Sequence, residues 1–255
     1  MTTHRRAPVV ARDVHPERCT SSRRLAALQR VPFFAGLSAA ELTEVNAHFR
    51  ASAHDVGATI YFSGDPAARL YVVTEGKVKL LRHTANGQDI LLDILTAGEI
   101  FGGLPALGEA KYDDTAQAQS PCCIMGIDAG HFTTVLEAYP AVAVSVLTIV
   151  GDRLREAHDR ISDLVSTPVE VRVATTLVKL AQKLGVEHHG RLLIETPLSR
   201  HDLAAMTGAT TESVSRVMSQ FRRDGLIESG RGWTVLCAPD RLSDIADTPG
   251  EELRR

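Results

Sequence analysis

Glu212, Ser215, Arg216 and Ser219 recur at i, i+3, i+4 and i+7, the spacing that puts four side chains on one face of a helix. None of the four is apolar. Together with Thr211 they offer a carboxylate that can accept from cytosine N4, hydroxyls, and a guanidinium that can donate twice to guanine O6 and N7, the chemistry of major-groove reading. Arg200, Ser219, Arg222, Arg223 and Arg231 add donors suited to phosphate oxygens, which would position a protein on a duplex without reading its sequence. Charge supports this only weakly, since five arginines stand against four acidic residues between Leu198 and Arg231. The competing reading is a solvated helix face with solvated arginines.

The surrounding sequence supplies a frame for these residues. Ser199 with Asp202 three positions later starts a helix, Thr207-Gly208 makes a tight turn, and Thr210 or Thr211 caps a second helix that stops at Gly225. On that second helix Val214, Val217, Met218 and Phe221 form an apolar stripe facing Leu203 and Met206 of the first. Leu226-Ile227 and Trp233 to Leu236, separated by Ser229-Gly230-Arg231-Gly232, read as a hairpin. The pattern is a winged helix-turn-helix, for which DNA is the expected partner and a protein-binding winged helix the alternative.

Upstream, Leu147, Val150, Leu154, Ala157, Ile161 and Leu164 alternate by three and four, the seam of a coiled coil, so a second copy of the chain is the expected partner. Packing of the seam on its own β-unit is the alternative. Thr167-Pro168 ends this helix or bends it sharply. A further helix follows from Val169 to Leu184, then the polar loop GVEHHGR and the short strand LLIET. From Val56 to Ile127 short alternating runs separated by Gly-containing turns predict a small barrel or jelly-roll-like sandwich, with Val78 and Leu80 on one face and Lys77 and Lys79 on the other. Ahead of it, Leu25, Leu28, Val31 and Phe33-Phe34, then Ser38 three residues before Glu41, predict two short helices, the second with a capping box. The expected organisation is α+β: a mobile tail 1–24, a β-rich unit 25–138, a dimerisation helix 139–167, a winged helix-turn-helix 168–240 and a C-terminal tail 241–255.

Composition narrows the function classes. The chain has 255 residues, 44% hydrophobic and 23% charged, which is ordinary globular usage and excludes a disordered or fibrous chain. With a net charge of −3, any DNA contact must come from a local patch. The most apolar stretch, Ala141 to Val150, is about half the length a bilayer requires, and the first residues lack an apolar signal core. The four cysteines, at 19, 122, 123 and 237, make neither a C-x-x-C pair nor a disulfide framework, so a reducing cytoplasm is the expected compartment. No G-x-x-x-x-G-K, G-x-S-x-G or H-E-x-x-H occurs, and no H-x-H of the kind cupin enzymes use for metal, so neither an enzyme nor a cofactor is expected.

The order of parts resembles the family of the cyclic-AMP receptor protein and the fumarate–nitrate regulator (CRP/FNR). The resemblance covers about Leu25 to Arg241 and is most specific in FSGDPAARLYVVTEGKVKLL, GQDILLDILTAGEIFGG and TGATTESVSRVMSQFRRDGLI. It implies a β-roll of the cyclic-nucleotide-binding type, a homodimer, and a transcription factor that contacts RNA polymerase. The family's Glu-x-x-Ser-Arg reading triad falls on Glu212, Ser215 and Arg216. Thr211 stands where the cyclic-AMP branch has an Arg, so the resemblance implies an FNR-type TTGAT half-site.

The resemblance also speaks to the signal. The family's cyclic-AMP pocket maps onto Gly102, Gly103, Leu104, Asp114, Thr115 and the helix positions Ala157 and His158, with Gly103 at the family's ribose-binding Glu and Asp114 at its phosphate-binding Arg. Cyclic AMP is therefore not the expected effector, and an effector-free regulator or another small ligand is. The FNR-type cluster needs an N-terminal cysteine triplet where Cys19 stands alone, and Met125 falls at its fourth ligand. Haem has no match after GEIFG, although His83, His131 and His158 remain as histidines. Buried structural cysteine at 122 or 123 is the expectation, with a redox role for Cys19 and Cys123 as the alternative.

Overall fold

The computed structural model describes residues 19–83, 89–104, 108, 110–196, 198–230 and 232–248. Their contacts divide them into two units, residues 19–157 and residues 158–248.

In the first unit, α1 (Ser21–Arg30), a one-turn 3-10 helix (Pro32–Phe34) and α2 (Ala39–Ala47) precede the strands. The capping box forms as read: the Glu41 N–H donates to Ser38 Oγ, and the Ser38 N–H donates to the Glu41 carboxylate at 2.7 Å. The described fold starts before the expected Leu25, because Cys19 is bonded to Cys123 and α1 begins at Ser21.

Among the described residues eight strands follow: β1 (Arg50–His54), β2 (Thr59–Tyr61), β3 (Arg69–Glu75), β4 (Val78–His83), β5 (Asp89–Leu95), β6 (Ile100–Gly102), β7 (Thr115–Ala118) and β8 (Cys122–Asp128). They form two antiparallel sheets, ordered β1-β8-β3-β6 and β2-β7-β4-β5. Period two along β8 divides the core. Cys122 and Ile124 pack with Tyr61, Val73, Val78, Phe101 and Ala116, drawn from both sheets. Met125 and Ile127 pack with the helices, among Leu28, Phe34, Val45, Phe132 and Val142. Val78 and Leu80 lie toward one cluster as expected, Val78 fully buried and Leu80 partly buried against it, while Leu81 is buried as well; the register with β5 shifts between Leu80 and Leu81, where β5 carries the extra residue. Helices α3 (Ala129–Ala138) and α4 (Pro140–Ser166) close this part of the chain, α4 ending just before Thr167-Pro168.

The second unit contains the end of α4, α5 (Val169–Leu184), β9 (Gly185–His188), β10 (Arg191–Ile194), α6 (Arg200–Thr207), α7 (Thr211–Arg223), β11 (Ile227–Gly230), β12 (Trp233–Leu236) and α8 (Pro239–Ala246). Its sheet is ordered β11-β12-β10-β9. Two expectations fail here. GVEHHGR is not a loop, because His189 and Gly190 both take positive φ and turn the chain in two residues, pairing β9 with β10. Residues 241–246 are not tail, because they belong to a helix that Pro239 starts, whose Leu242 is fully buried and which packs on α5. Among the described residues no single helix is long and apolar enough to cross a membrane.

Candidate nucleic-acid interface

Short polar signals set the two helices of the turn. Ser199 Oγ accepts from the Asp202 N–H and the Asp202 carboxylate from the Ser199 N–H, closing a capping box at the start of α6. Gly208 ends α6 in the left-handed region at φ 60°, where a glycine bears no Cβ penalty. Thr210 caps α7 by accepting from the Ser213 N–H at 3.1 Å. Helix α7 stops at Arg223, two residues short of the expected Gly225, with Asp224 as its C-cap and Gly225 at positive φ.

Burial splits α7 into two faces. Val214, Met218 and Phe221 are fully buried, Val217 is half-buried, and on α6 Leu203 is buried while Met206 is half-buried. With that stripe fixed inward, the reading face is left outside. Glu212 and Arg216 are 87% and 72% exposed and pair with each other at 3.3 Å, one helical turn apart. Thr211 is exposed and Ser215 half-buried beside them. Ser219 Oγ donates back to the Ser215 carbonyl at 2.7 Å, which leaves its lone pairs as acceptors.

The candidate phosphate donors are arranged unevenly. Arg200 is half-buried, and burial together with the neighbouring positive charge of Arg222 lowers its pKa. Two guanidiniums that repel one another in this way are relieved by an anion. Arg223 donates to Gln220 Oε1 at 2.5 Å, and Gln220 donates to Asp224. In the wing Gly230 pairs with Trp233, whose indole lies so close that a Cβ at 230 would meet it at 2.5 Å. Arg231, at the wing tip in sequence, lies outside the described residues.

In the first unit the expected pocket residues come together only in part. The Tyr61 hydroxyl donates to Asp114 Oδ1 at 2.8 Å, and the Tyr61 ring stacks on Tyr112 with centroids 3.8 Å apart. Burial raises the Asp114 pKa, opposed by the Tyr61 hydrogen bond and the charge of Arg82; burial and the Asp114 charge push the Tyr61 pKa up. Thr115 Oγ1 accepts from the Ser63 N–H at 3.0 Å and lies 3.2 Å from His83 Nε2. Gly102 takes φ 79°, and the Gly103 N–H donates to the Arg69 carbonyl. Leu104 does not join this polar group, being fully buried in the cluster on the helical side of the β3 sheet. His158 is exposed on α4, within the second unit.

On α4 the seam residues Leu147, Val150 and Leu154 are 72%, 53% and 58% exposed, with Val144 exposed beside them. The side chains of Ala157, Ile161 and Leu164 lie outside the described set. The spacing gave no disulfide framework, yet Cys19 and Cys123, the pair of the redox alternative, are bonded across 104 residues, with Cα atoms 5.9 Å apart. Both Cys122 and Cys123 are buried. Tyr61, as the partner of Asp114, escaped the sequence, because contacts 53 residues apart leave no local periodic signal.

Two domain families match the chain: the cyclic nucleotide-binding domain over residues 54–139 and the Crp-like helix-turn-helix domain over residues 171–245. The chain is 30% identical over 216 residues to the Cyclic AMP receptor protein of Thermus thermophilus, covering 84% of this chain and 96% of that one. It is 26% identical to the CRP-like cAMP-activated global transcriptional regulator of Mycobacterium tuberculosis, covering 85% and 96%. Among solved structures, a CRP/FNR family transcriptional regulator from Thermus thermophilus superposes with a TM-score of 0.62 at 25% identity, covering 78% of this chain and all of the other. Taken with an exposed polar face on the second helix of a winged helix-turn-helix, these likenesses place the chain in the CRP/FNR family of DNA-binding transcriptional regulators.

Proposed function

We propose that the protein acts as a cytoplasmic homodimer that reads a palindrome of TTGAT half-sites through α7 and regulates transcription by contacting RNA polymerase, without cyclic AMP as its effector. The observation that carries this reading is the exposed Glu212–Ser215–Arg216 face, kept outward by the buried stripe behind it. Glu212 accepts from a cytosine amine and Arg216 donates to a guanine edge, with Thr211 and Ser215 alongside. Arg200, Arg222, Arg223 and Arg231 serve the phosphates, and Ser219 joins them when its hydroxyl turns from the Ser215 carbonyl to donate to a phosphate oxygen. The exposed apolar seam of α4 supports pairing with a second copy, which sets two α7 helices in successive major grooves.

The case against cyclic AMP rests on Asp114. The relatives named above are called cAMP-activated or cyclic AMP receptors, but a carboxylate about 4 Å from a phosphate repels it by roughly 4 kcal/mol at intermediate dielectric. Here that carboxylate is already engaged by Tyr61. Gly102, Gly103, Thr115 and His158 offer no counter-charge fixed for a phosphate.

The test is a fluorescence anisotropy titration of TTGAT-N4-ATCAA and TGTGA-palindrome duplexes at two salt concentrations, with and without cyclic AMP. Tight binding to the first duplex alone, unchanged by cyclic AMP, is expected. Equal, salt-governed binding to both refutes the half-site, and cyclic-AMP-dependent binding refutes the effector reading.

A further inference from the structure

The Cys19–Cys123 bond joins a residue two positions ahead of α1 to the second residue of the core strand β8. Beside it, Arg23 forms an ion pair with Glu75, and Glu75 is the register partner of Cys123 on the neighbouring strand. The first turn of α1 is thus held at one level of the sheet by a covalent link and an exposed ion pair. Further along, Ala27, Leu28 and Val31 are buried in the cluster that also takes Val142 and Val146 from the root of α4. Whatever fixes the start of α1 therefore bears on the packing of α4, the helix that runs on into the second unit.

The two sulfurs differ in access. Cys19 is partly exposed and Cys123 is buried, so an incoming thiolate reaches Cys19 more readily and displaces the Cys123 sulfur as leaving group. Cys122, the neighbouring thiol, cannot take part. It belongs to the core between the sheets, on the opposite face of β8, and burial pushes its pKa up to about 11.

We propose that Cys19 and Cys123 form a reversible thiol–disulfide switch that sets how firmly α1 is clamped to the core face shared with the root of α4. Opening consumes a dithiol: its first thiolate forms a mixed disulfide with Cys19 and expels the Cys123 thiolate, which takes up a proton. The second thiolate of the reductant then displaces Cys19, which is also protonated, leaving two protein thiols and the oxidised cyclic reductant. Closure by glutathione disulfide runs the same exchange in reverse and releases two glutathione molecules. With the bond closed, α1 supports the α4 root and operator binding is tighter, an effect that rests on the DNA-binding reading above.

The experiment equilibrates the full chain in glutathione buffers of graded poise, and in reduced dithiothreitol, and follows three quantities. These are the Cys19–Cys123 fraction by alkylation mass shift, hydrogen exchange of α1, and operator affinity by anisotropy. The bond is expected to open within the reducing range. Protection of α1 should then fall by roughly tenfold or more, Tm by roughly 5–10 °C, and affinity by roughly fivefold. Cys19→Ser, at a partly exposed site, should show the reduced behaviour at every poise, and Cys122→Ser should follow the parent. A bond that stays closed throughout, or α1 protection identical in both states, overturns the switch. Equal operator affinity with altered α1 protection overturns its regulatory role. If no duplex is bound in either state, the DNA-binding reading fails, and α1 protection alone then decides the clamp.

Discussion

Arg216 is mostly exposed and paired with Glu212 across one helical turn, and the reading proposed above assigns it a base edge. Arg216→Ala should cost about 1–3 kcal/mol of operator affinity and relax discrimination at one base pair, as measured by titrating single-base variants of the site. Uniform weakening on every sequence would make it a phosphate contact instead. Asp114 yields a pH prediction with a definite sign. Burial raises its folded pKa above the unfolded value, so the group costs no stability below the ordinary carboxylate range. The cost develops as pH rises through that range and through the raised folded value. Asp114→Asn, which keeps an acceptor for Tyr61, should therefore raise Tm at pH 7, with the gain shrinking toward about pH 4. Tyr61→Phe removes the donor from a partly buried carboxylate and should destabilise by about 1–3 kcal/mol in urea titration.

At the scale of elements, α7 is positioned by burial and caps together. Met218→Ala opens the fully buried stripe and should cost about 2–5 kcal/mol, while Ser199→Ala removes one capping acceptor for about 1 kcal/mol, both read from urea midpoints. These features were legible because they are local: Ser199 with Asp202, Ser38 with Glu41, and Val214, Met218 and Phe221 all declare themselves within seven residues. What escaped the sequence was either long-range or a matter of backbone sign. The register shift between Leu80 and Leu81 depends on pairing with β5, and the β9–β10 turn depends on His189 accepting positive φ. The Tyr61–Asp114 partners are brought together only by the sheets, while Cys19 with Cys123, which the sequence offered only as an alternative, depends on α1 packing against β3.

For the whole molecule, the proposed reading makes pairing of two copies along α4 the step that turns one reading helix into a palindrome reader. Leu154→Asp puts a charge into the exposed seam and should yield monomers in sedimentation velocity, with operator binding reduced to the weak, salt-governed level. Unchanged sedimentation would remove α4 as the pairing element. The central claim, sequence-specific recognition by paired α7 helices, is tested most directly by selecting bound duplexes from a fully randomised library. The expected outcome is an inverted repeat of TTGAT-like half-sites centred roughly one helical turn, about 10 base pairs, apart, with one position per half-site losing its preference in Arg216→Ala. Selection that enriches no motif, or a motif without two-fold symmetry, would contradict it.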